Sequence, residues 1–281
     1  MHRITHGTLV SYQFDAFQQS NISHSIFTRL GGVSEGQWAS LNMSRSTGDA
    51  AEPVIENRKR ALDALGLKQE QSITSWLVHG NHVRVLTRDD LRVQGANDVH
   101  ADAMITQDRG LALTLRFADC VPVMFHDPAK GAIGIAHAGW KGVVNGVLIE
   151  TVLAMSRAFG SRPQDIVAGI GPCIGPDKFE VGEDVAAQIQ GVVSECVVER
   201  QGDGEDKERQ GISTLSSPSA VSLQTKPRVN LWAAAASQLE QVGVGQVEVA
   251  NICTASNTHE WFSHRAEQGK TGRFGAVIVL S

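Results

Sequence analysis

Between Ala112 and Ala138 the chain carries three short, almost purely apolar blocks, Ala112–Phe117, Val121–Phe125 and Ala132–Ala136. Blocks of this length, rich in Val, Ile and Phe and bounded by Asp, Pro and Gly, read as buried strands. The turn Asp127-Pro128-Ala129-Lys130-Gly131 joins the second block to the third as a hairpin. That hairpin predicts that Cys120, just before one strand, and His137, at the end of the other, lie close together. Another strand-like run, in S-W-L-V-H-G-N-H-V, ends on His79. Ile166–Ile170, Val247–Ile252 and Phe274–Leu280 read as further strands.

Other stretches carry helical signals. Asp49, followed three residues later by Glu52 and with Pro53 in the first turn, predicts a helix that runs to Leu65 and stops before Gly66. Val143–Ala158, Val185–Gln190 and Leu231–Val242 are predicted as three more. Strands and helices are spread along the whole chain without a linker, which predicts one α/β or α+β domain over residues 1–281. The stretch 201–228 is different, being rich in Ser, Gly, Gln and charged residues and poor in large apolar ones. It reads as a mobile surface loop, a neutral extension rather than a lid, since lengthening a loop costs little.

At 281 residues and 42% hydrophobic content the chain can bury a full core. No apolar run is long enough to span a bilayer, and M-H-R-I-T-H-G lacks a signal-peptide core, so a cytoplasmic location and no membrane partner are expected. Four cysteines without a C-x-x-C pair point to reduced thiols. A net charge of −5 and the lack of a basic cluster argue against nucleic acid and for a small-molecule substrate.

Taken as residues alone, Cys120 and the two histidines have two readings. One is a buried small thiol with satisfied polar neighbours. The other is a thiolate–imidazole site, because a thiolate and two imidazoles suit Zn²⁺ and leave a fourth position open. Their separation in sequence does not decide between the two. Asp119 either orients a ligand or caps a turn, and Cys173 in G-I-G-P-C-I-G reads as a buried thiol beside a backbone turn or kink.

The blocks around His79, Cys120 and His137 occur in order with F-T-R-L-G-G-V-S (Phe27–Ser34), S-L-N (Ser40–Asn42), E-N-R (Glu56–Arg58), A-D-A-M-I-T (Ala101–Thr106), G-I-G-P-C-I-G (Gly169–Gly175), F-E-V-G (Phe179–Gly182), I-C-T (Ile252–Thr254), F-S-H-R (Phe262–Arg265) and T-G-R-F (Thr271–Phe274). This ordered set resembles the YfiH family, which carries the names purine nucleoside phosphorylase and polyphenol oxidase. The resemblance implies a layered α/β/β/α sandwich with mixed sheets. It implies His79, Cys120 and His137 as the metal ligands and catalytic centre, and it marks 201–228 as an insertion.

The activity so implied is zinc-dependent phosphorolysis of adenosine, inosine or guanosine, extending to methylthioadenosine, with phosphate as co-substrate and adenosine deamination as a side activity. Arg29 and Arg265 are then candidate phosphate ligands, since a guanidinium holds two oxygens at once. Asn42 is a candidate contact to ribose or base. The H-x-E and P-C-x-x-C motifs of cytidine-deaminase-like enzymes are absent, Pro172–Cys173 being followed by Ile174–Gly175. Two alternatives remain. One is a copper-dependent polyphenol oxidase, although none of the ten histidines forms an H-x-H pair. The other is a cysteine hydrolase or amidase acting on a peptidoglycan precursor, with Cys120 as nucleophile and His137 as base. Leu77 stands where the family commonly has Gln, Val143 where Thr is usual and Ala266 where Arg is usual; none of these is a proposed ligand.

Overall fold

The computed structural model describes residues 1–18, 20–194, 196–198 and 226–281. The strands are β1 (His2–His6), β2 (Leu9–Gln13), β3 (Ile22–Phe27), β4 (Ser72–Ile73), β5 (Val83–Val85), β6 (Ala103–Thr106), β7 (Ala112–Phe117), β8 (Val121–Asp127), β9 (Ala132–Ala138), β10 (Val167–Ile170), β11 (Val197–Val198), β12 (Arg228–Val229), β13 (Gln246–Val249) and β14 (Phe274–Leu280). The helices are α1 (Ala51–Asp63), α2 (Trp140–Val144), α3 (Val147–Phe159), α4 (Glu183–Gln190) and α5 (Leu231–Gln241). No helix among the described residues is long and apolar enough to cross a membrane.

Two mixed six-stranded sheets carry the fold, in the orders β1-β2-β3-β14-β7-β4 and β13-β10-β8-β9-β6-β5. Alternation along each strand sends its residues to two different cores. Ile26, Leu113, Leu115, Phe117, Phe274, Ala276 and Ile278 of the first sheet pack against Met104, Met124, Ile133 and Ile135 of the second. Val277 and Val279 point the other way, onto Ala61 and Leu62 of α1. Val121, Val123, Phe125, Ala136 and Ala138 face α3 and α5 through Val147, Val152, Met155, Ala234 and Leu239. The layers are therefore α/β/β/α, and the central strands are apolar throughout because both of their faces are covered. Phe117 and Phe274, at 1% and 0% exposure, each contribute about 1.5–3 kcal/mol of burial.

The β8–β9 hairpin forms as the sequence predicts, in the register Val121↔Ala138 and Pro122↔His137. The Asp127 carboxylate accepts the N–H groups of Ala129 and Lys130, and Gly131 closes the turn at φ +60°. Other expectations are corrected. The helix expected over Val143–Ala158 is two helices, because Gly146 sits at φ +73° and restarts the chain as α3. Asp49 does not cap α1. The chain enters that helix through Ala50, which makes no side-chain cap, while Asp49 accepts from Ser34 and Asn42. The run before His79 is not a strand: Trp76 makes only an isolated bridge to His100, and His79 turns the backbone at φ +60°. Of the stretch 201–228, residues 201–225 lie outside the described residues. Its end belongs to the fold, since Pro227 accepts from the Val181 N–H and Arg228 opens β12.

Candidate metal centre and active site

The end of β7 and the two ends of the hairpin build the site. After Phe117 the backbone turns through Asp119 at φ +81°, a left-handed conformation that breaks strand alternation and presents Cys120. Asp119 is held there by two bonds to its carboxylate, from Thr254 Oγ1 at 2.6 Å and from the Arg265 N–H at 2.6 Å. Of the two roles weighed for Asp119, the turn-bracing one matches these contacts. They join the I-C-T and F-S-H-R segments to the cysteine.

One donor atom from each of His79, Cys120 and His137 lies within 4.8 Å of the others, and Cys120 Sγ is 3.9 Å from His79 Nε2. The two imidazole rings stand 4.9 Å apart at 77°. A tetrahedral zinc bound at about 2.3 Å to sulfur and about 2.0–2.1 Å to nitrogen needs S–N spacings of roughly 3.6 Å, so the set closes on a metal with a small shift. His137 is 3% exposed and His79 is exposed, which leaves the solvent side of the cluster free for a fourth ligand.

A residue absent from the sequence-based candidates organises this set. Asp102, fully buried, accepts the backbone N–H groups of Val78 at 3.2 Å, His79 at 3.0 Å and Gly80 at 2.7 Å. The same carboxylate lies 2.9 Å from His137 Nδ1. One carboxylate thus shapes the His79 turn and fixes the His137 tautomer, leaving Nε2 as that ring's free nitrogen. Its signal in the sequence was an acid at the start of an otherwise apolar strand, in A-D-A-M-I-T. Gly139 is a second such residue, because a Cβ there would lie 2.9 Å from Cys120 Sγ and 3.0 Å from His79 Cδ2.

The electrostatics favour a thiolate paired with an imidazolium. Burial opposes ionisation of the Cys120 thiol, but the charge and hydrogen bond of His137, with the hydrogen bond of His79, outweigh it and bring the pKa to about 6. Burial likewise disfavours His137 as a cation, and the Cys120 thiolate with Asp102 reverses this, raising it to about 9. Asp102 is lowered: burial pushes its pKa up, and His137 with the Gly80 and His79 N–H groups pulls it further down.

The cluster forms part of the wall of a cavity of about 920 Å³. Trp76, Leu77, Trp140, Ile174 and Phe179 supply an apolar part of that wall. Arg265 is also on it, stacked 5.4 Å from the Phe179 ring centroid and donating to the Glu180 carbonyl at 2.9 Å. The other two substrate candidates are not on it. Arg29 donates to Ala39 O, Thr258 O and Glu267 and stacks on Phe262 at 4.4 Å, so its guanidinium is a structural brace. Asn42, fully buried, accepts from the N–H groups of Ser44 and Arg273 and donates to Ser44 O, Thr47 Oγ1 and Asp49. Both polar atoms of the Asn42 side chain are thus engaged within the fold.

Residues 23–281 match the family model described as multi-copper polyphenol oxidoreductase laccase. A protein of Bacteroides thetaiotaomicron named purine nucleoside phosphorylase is 35% identical over 93% of this chain and 92% of its own length. The Escherichia coli protein named purine nucleoside phosphorylase YfiH is 32% identical over 94% of this chain and 96% of its own. The crystal structure of YlmD from Geobacillus stearothermophilus superposes with a TM-score of 0.82 at 29% identity, covering 99% of this chain and 98% of that one. Bacillus licheniformis YfiH gives a TM-score of 0.83 at 30% identity, with 98% and 97% coverage. By sequence and by fold, the chain belongs to the YfiH family.

Proposed function

We propose that this chain is a zinc-dependent purine nucleoside phosphorylase, with His79, Cys120 and His137 holding the metal. The observation that carries the reading is the cluster of one thiolate and two imidazoles, buttressed by Asp102, on the wall of a cavity that is part apolar and part cationic. Zinc, when bound, supplies a Lewis acid at the open position. The protein does the rest. Trp76, Leu77, Trp140 and Phe179 exclude water around a purine, and Arg265 is placed to meet an anionic co-substrate. In phosphorolysis a phosphate oxygen bonds to C1′ of the ribose while the C1′–N9 bond breaks, and its electron pair leaves with the purine, which takes up a proton. Charge gathers on the ribosyl group and the departing base, so oriented dipoles and cations in a dry cavity carry the stabilisation. Adenosine, inosine, guanosine and methylthioadenosine are the substrates of this reading, with adenosine deamination as its side reaction.

A second reading is favoured by the line Cys120–His137–Asp102, in which a thiolate of lowered pKa faces an imidazole oriented by a carboxylate. That is the nucleophile arrangement of a cysteine hydrolase. Chelation separates the two, because a metal-held thiolate is not free to attack. Phosphate-dependent release of base and ribose 1-phosphate that disappears on chelation and returns with Zn²⁺ is the expected result. Hydrolytic activity that survives or rises on chelation would move Cys120 to the nucleophile role, and phenol oxidation restored only by copper would favour the oxidase.

A further inference from the structure

We propose that Arg45, Arg58, Arg116 and Arg273 form a phosphoryl-binding site along one side of the cavity that holds His79, Cys120 and His137. All four line that cavity, and they come from four separate elements: the loop before α1, α1 itself, β7 and the segment entering β14. The two sheet residues converge through strand alternation. β7 and β14 pair with Phe117 opposite Phe274 and Arg116 opposite Gly275. Phe117 and Phe274 point into the core between the sheets, so Arg116 and Arg273 lie on the opposite face, the one covered by α1 and therefore by Arg58.

Three of these guanidinium groups are fixed by neutral acceptors. Arg58 Nε donates to Met43 O at 2.8 Å. Arg116 donates to Thr74 Oγ1 at 2.7 Å and Ser75 O at 2.9 Å, and Arg273 to Thr271 O at 3.2 Å and Gly272 O at 2.8 Å. A guanidinium has five N–H donors, so each keeps donors free. Among the described residues none of the four makes a salt bridge to a carboxylate, whereas Arg29, Arg60, Arg157 and Arg162 all do. The acids on the cavity wall make no direct ion pair with any of the four. Asp119 is engaged by Thr254 and by the Arg265 N–H, and Asp98 is exposed. Arg273 feels the charges of Cys120, Asp119 and Glu267 at longer range without an ion pair to any of them, and Glu267 is bonded to Arg29, the Ser263 N–H and Thr271.

Bracing loops through carbonyl oxygens requires no charge, yet here cations are brought together. Burial first, and then the charge of a neighbouring arginine, lowers the pKa of Arg116 beside Arg58 and of Arg58 beside Arg45. Partly desolvated like charges are unfavourable until an anion joins them. A phosphoryl group, with three oxygens and up to two charges, matches forked donors arriving from several directions. Ser44, Ser46 and Thr74 on the same wall add hydroxyls. The inference deepens the phosphorolysis reading by assigning its phosphate, and it rests on that reading only for which phosphoryl compound occupies the site. The two sources are free phosphate and the phosphoryl group of a phosphorylated nucleoside.

The test is calorimetric titration of the zinc-loaded full chain with inorganic phosphate and, separately, with adenosine 5′-monophosphate. Arg45→Ala is the first variant, because Arg45 is exposed and makes no side-chain hydrogen bond among the described residues. It is expected to weaken phosphate binding about tenfold or more, the loss of one charge-assisted contact, with metal content and melting temperature unchanged. Arg116→Lys, which keeps the charge and loses the fork, is expected to weaken it as well. Competition by the monophosphate that is lost in Arg45→Ala identifies a nucleotide as occupant, and absence of competition identifies free phosphate. Phosphate binding within twofold of wild type in both variants overturns the inference. If the variants lose phosphate but wild type cleaves no nucleoside, the site stands and the phosphorylase reading falls. If wild type cleaves nucleosides and the KM for phosphate is unchanged in the variants, the reverse holds.

Discussion

Asp102→Asn conserves shape and removes the charge from the carboxylate that shapes the proposed metal centre. Oδ2 accepts from Val78 and Gly80, and Oδ1 from His79 and His137 Nδ1. An amide offers one oxygen, so in either orientation two of these four donors face an NH₂ group. Each buried donor left unpaired costs about 1–3 kcal/mol, so the substitution costs about 2–6 kcal/mol in all. At about 2–4 °C per kcal/mol for a chain somewhat smaller than this, the melting temperature should fall by at least about 4 °C. Zinc affinity should fall about 10–100-fold, because the His79 turn and the His137 ring lose their common anchor. The assay is competition with a chromogenic chelator, paired with thermal unfolding of the metal-free chain. His79→Ala is the control: it removes a proposed ligand on an exposed side chain and should lose zinc while leaving the metal-free melting temperature near wild type. Asp102→Asn with zinc affinity within twofold of wild type and an unshifted melting temperature would refute the reasoning.

Arg29→Ala should lower the melting temperature by several degrees, since it deprives Glu267 of its partner and Phe262 of its stacked guanidinium; titration should show phosphate binding unchanged, and a specific loss of phosphate affinity would restore the ligand role expected from sequence. The metal-free chain should be most stable between about pH 6 and pH 9. Cys120 has its pKa lowered on folding, so its contribution is lost as pH falls through about 6, and His137 has its pKa raised, so its contribution is lost as pH rises through about 9. Melting curves across that range check this, and Cys120→Ser should flatten the profile; an unchanged profile in that variant would contradict the ion pair.

Much of the fold was legible because the strands at its centre are covered on both faces and so read as continuous apolar runs. β8, β9 and β14 are of this kind, and the turn at Asp127–Gly131 fixed the hairpin that joins Cys120 to His137. Where local pattern and tertiary demand disagree, the pattern misled. Trp76–Leu77–Val78 is apolar and strand-like, yet Asp102 gathers the N–H groups of Val78, His79 and Gly80 into a turn. The continuous helical signal from Val143 to Ala158 hid the single residue, Gly146, whose positive φ divides it. The arginine side of the cavity was illegible for a different reason. Its members at 45, 58, 116 and 273 have no common spacing, and only the pairing of β7 with β14 beneath α1 brings them together. Arg29 and Asn42 have residue types suited to ligand contact, but the type of a side chain does not reveal that its donors and acceptors are already satisfied.

The most direct test of the central claim is metal content by mass spectrometry on untagged protein, measured on the same preparations as phosphate-dependent purine release, for wild type, Cys120→Ala and His137→Ala. The account predicts one zinc per chain with formation of base and ribose 1-phosphate in wild type, and the loss of both metal and activity in each variant. Full zinc occupancy in either variant, or phosphorolysis by a wild-type chain that carries no metal, would contradict it.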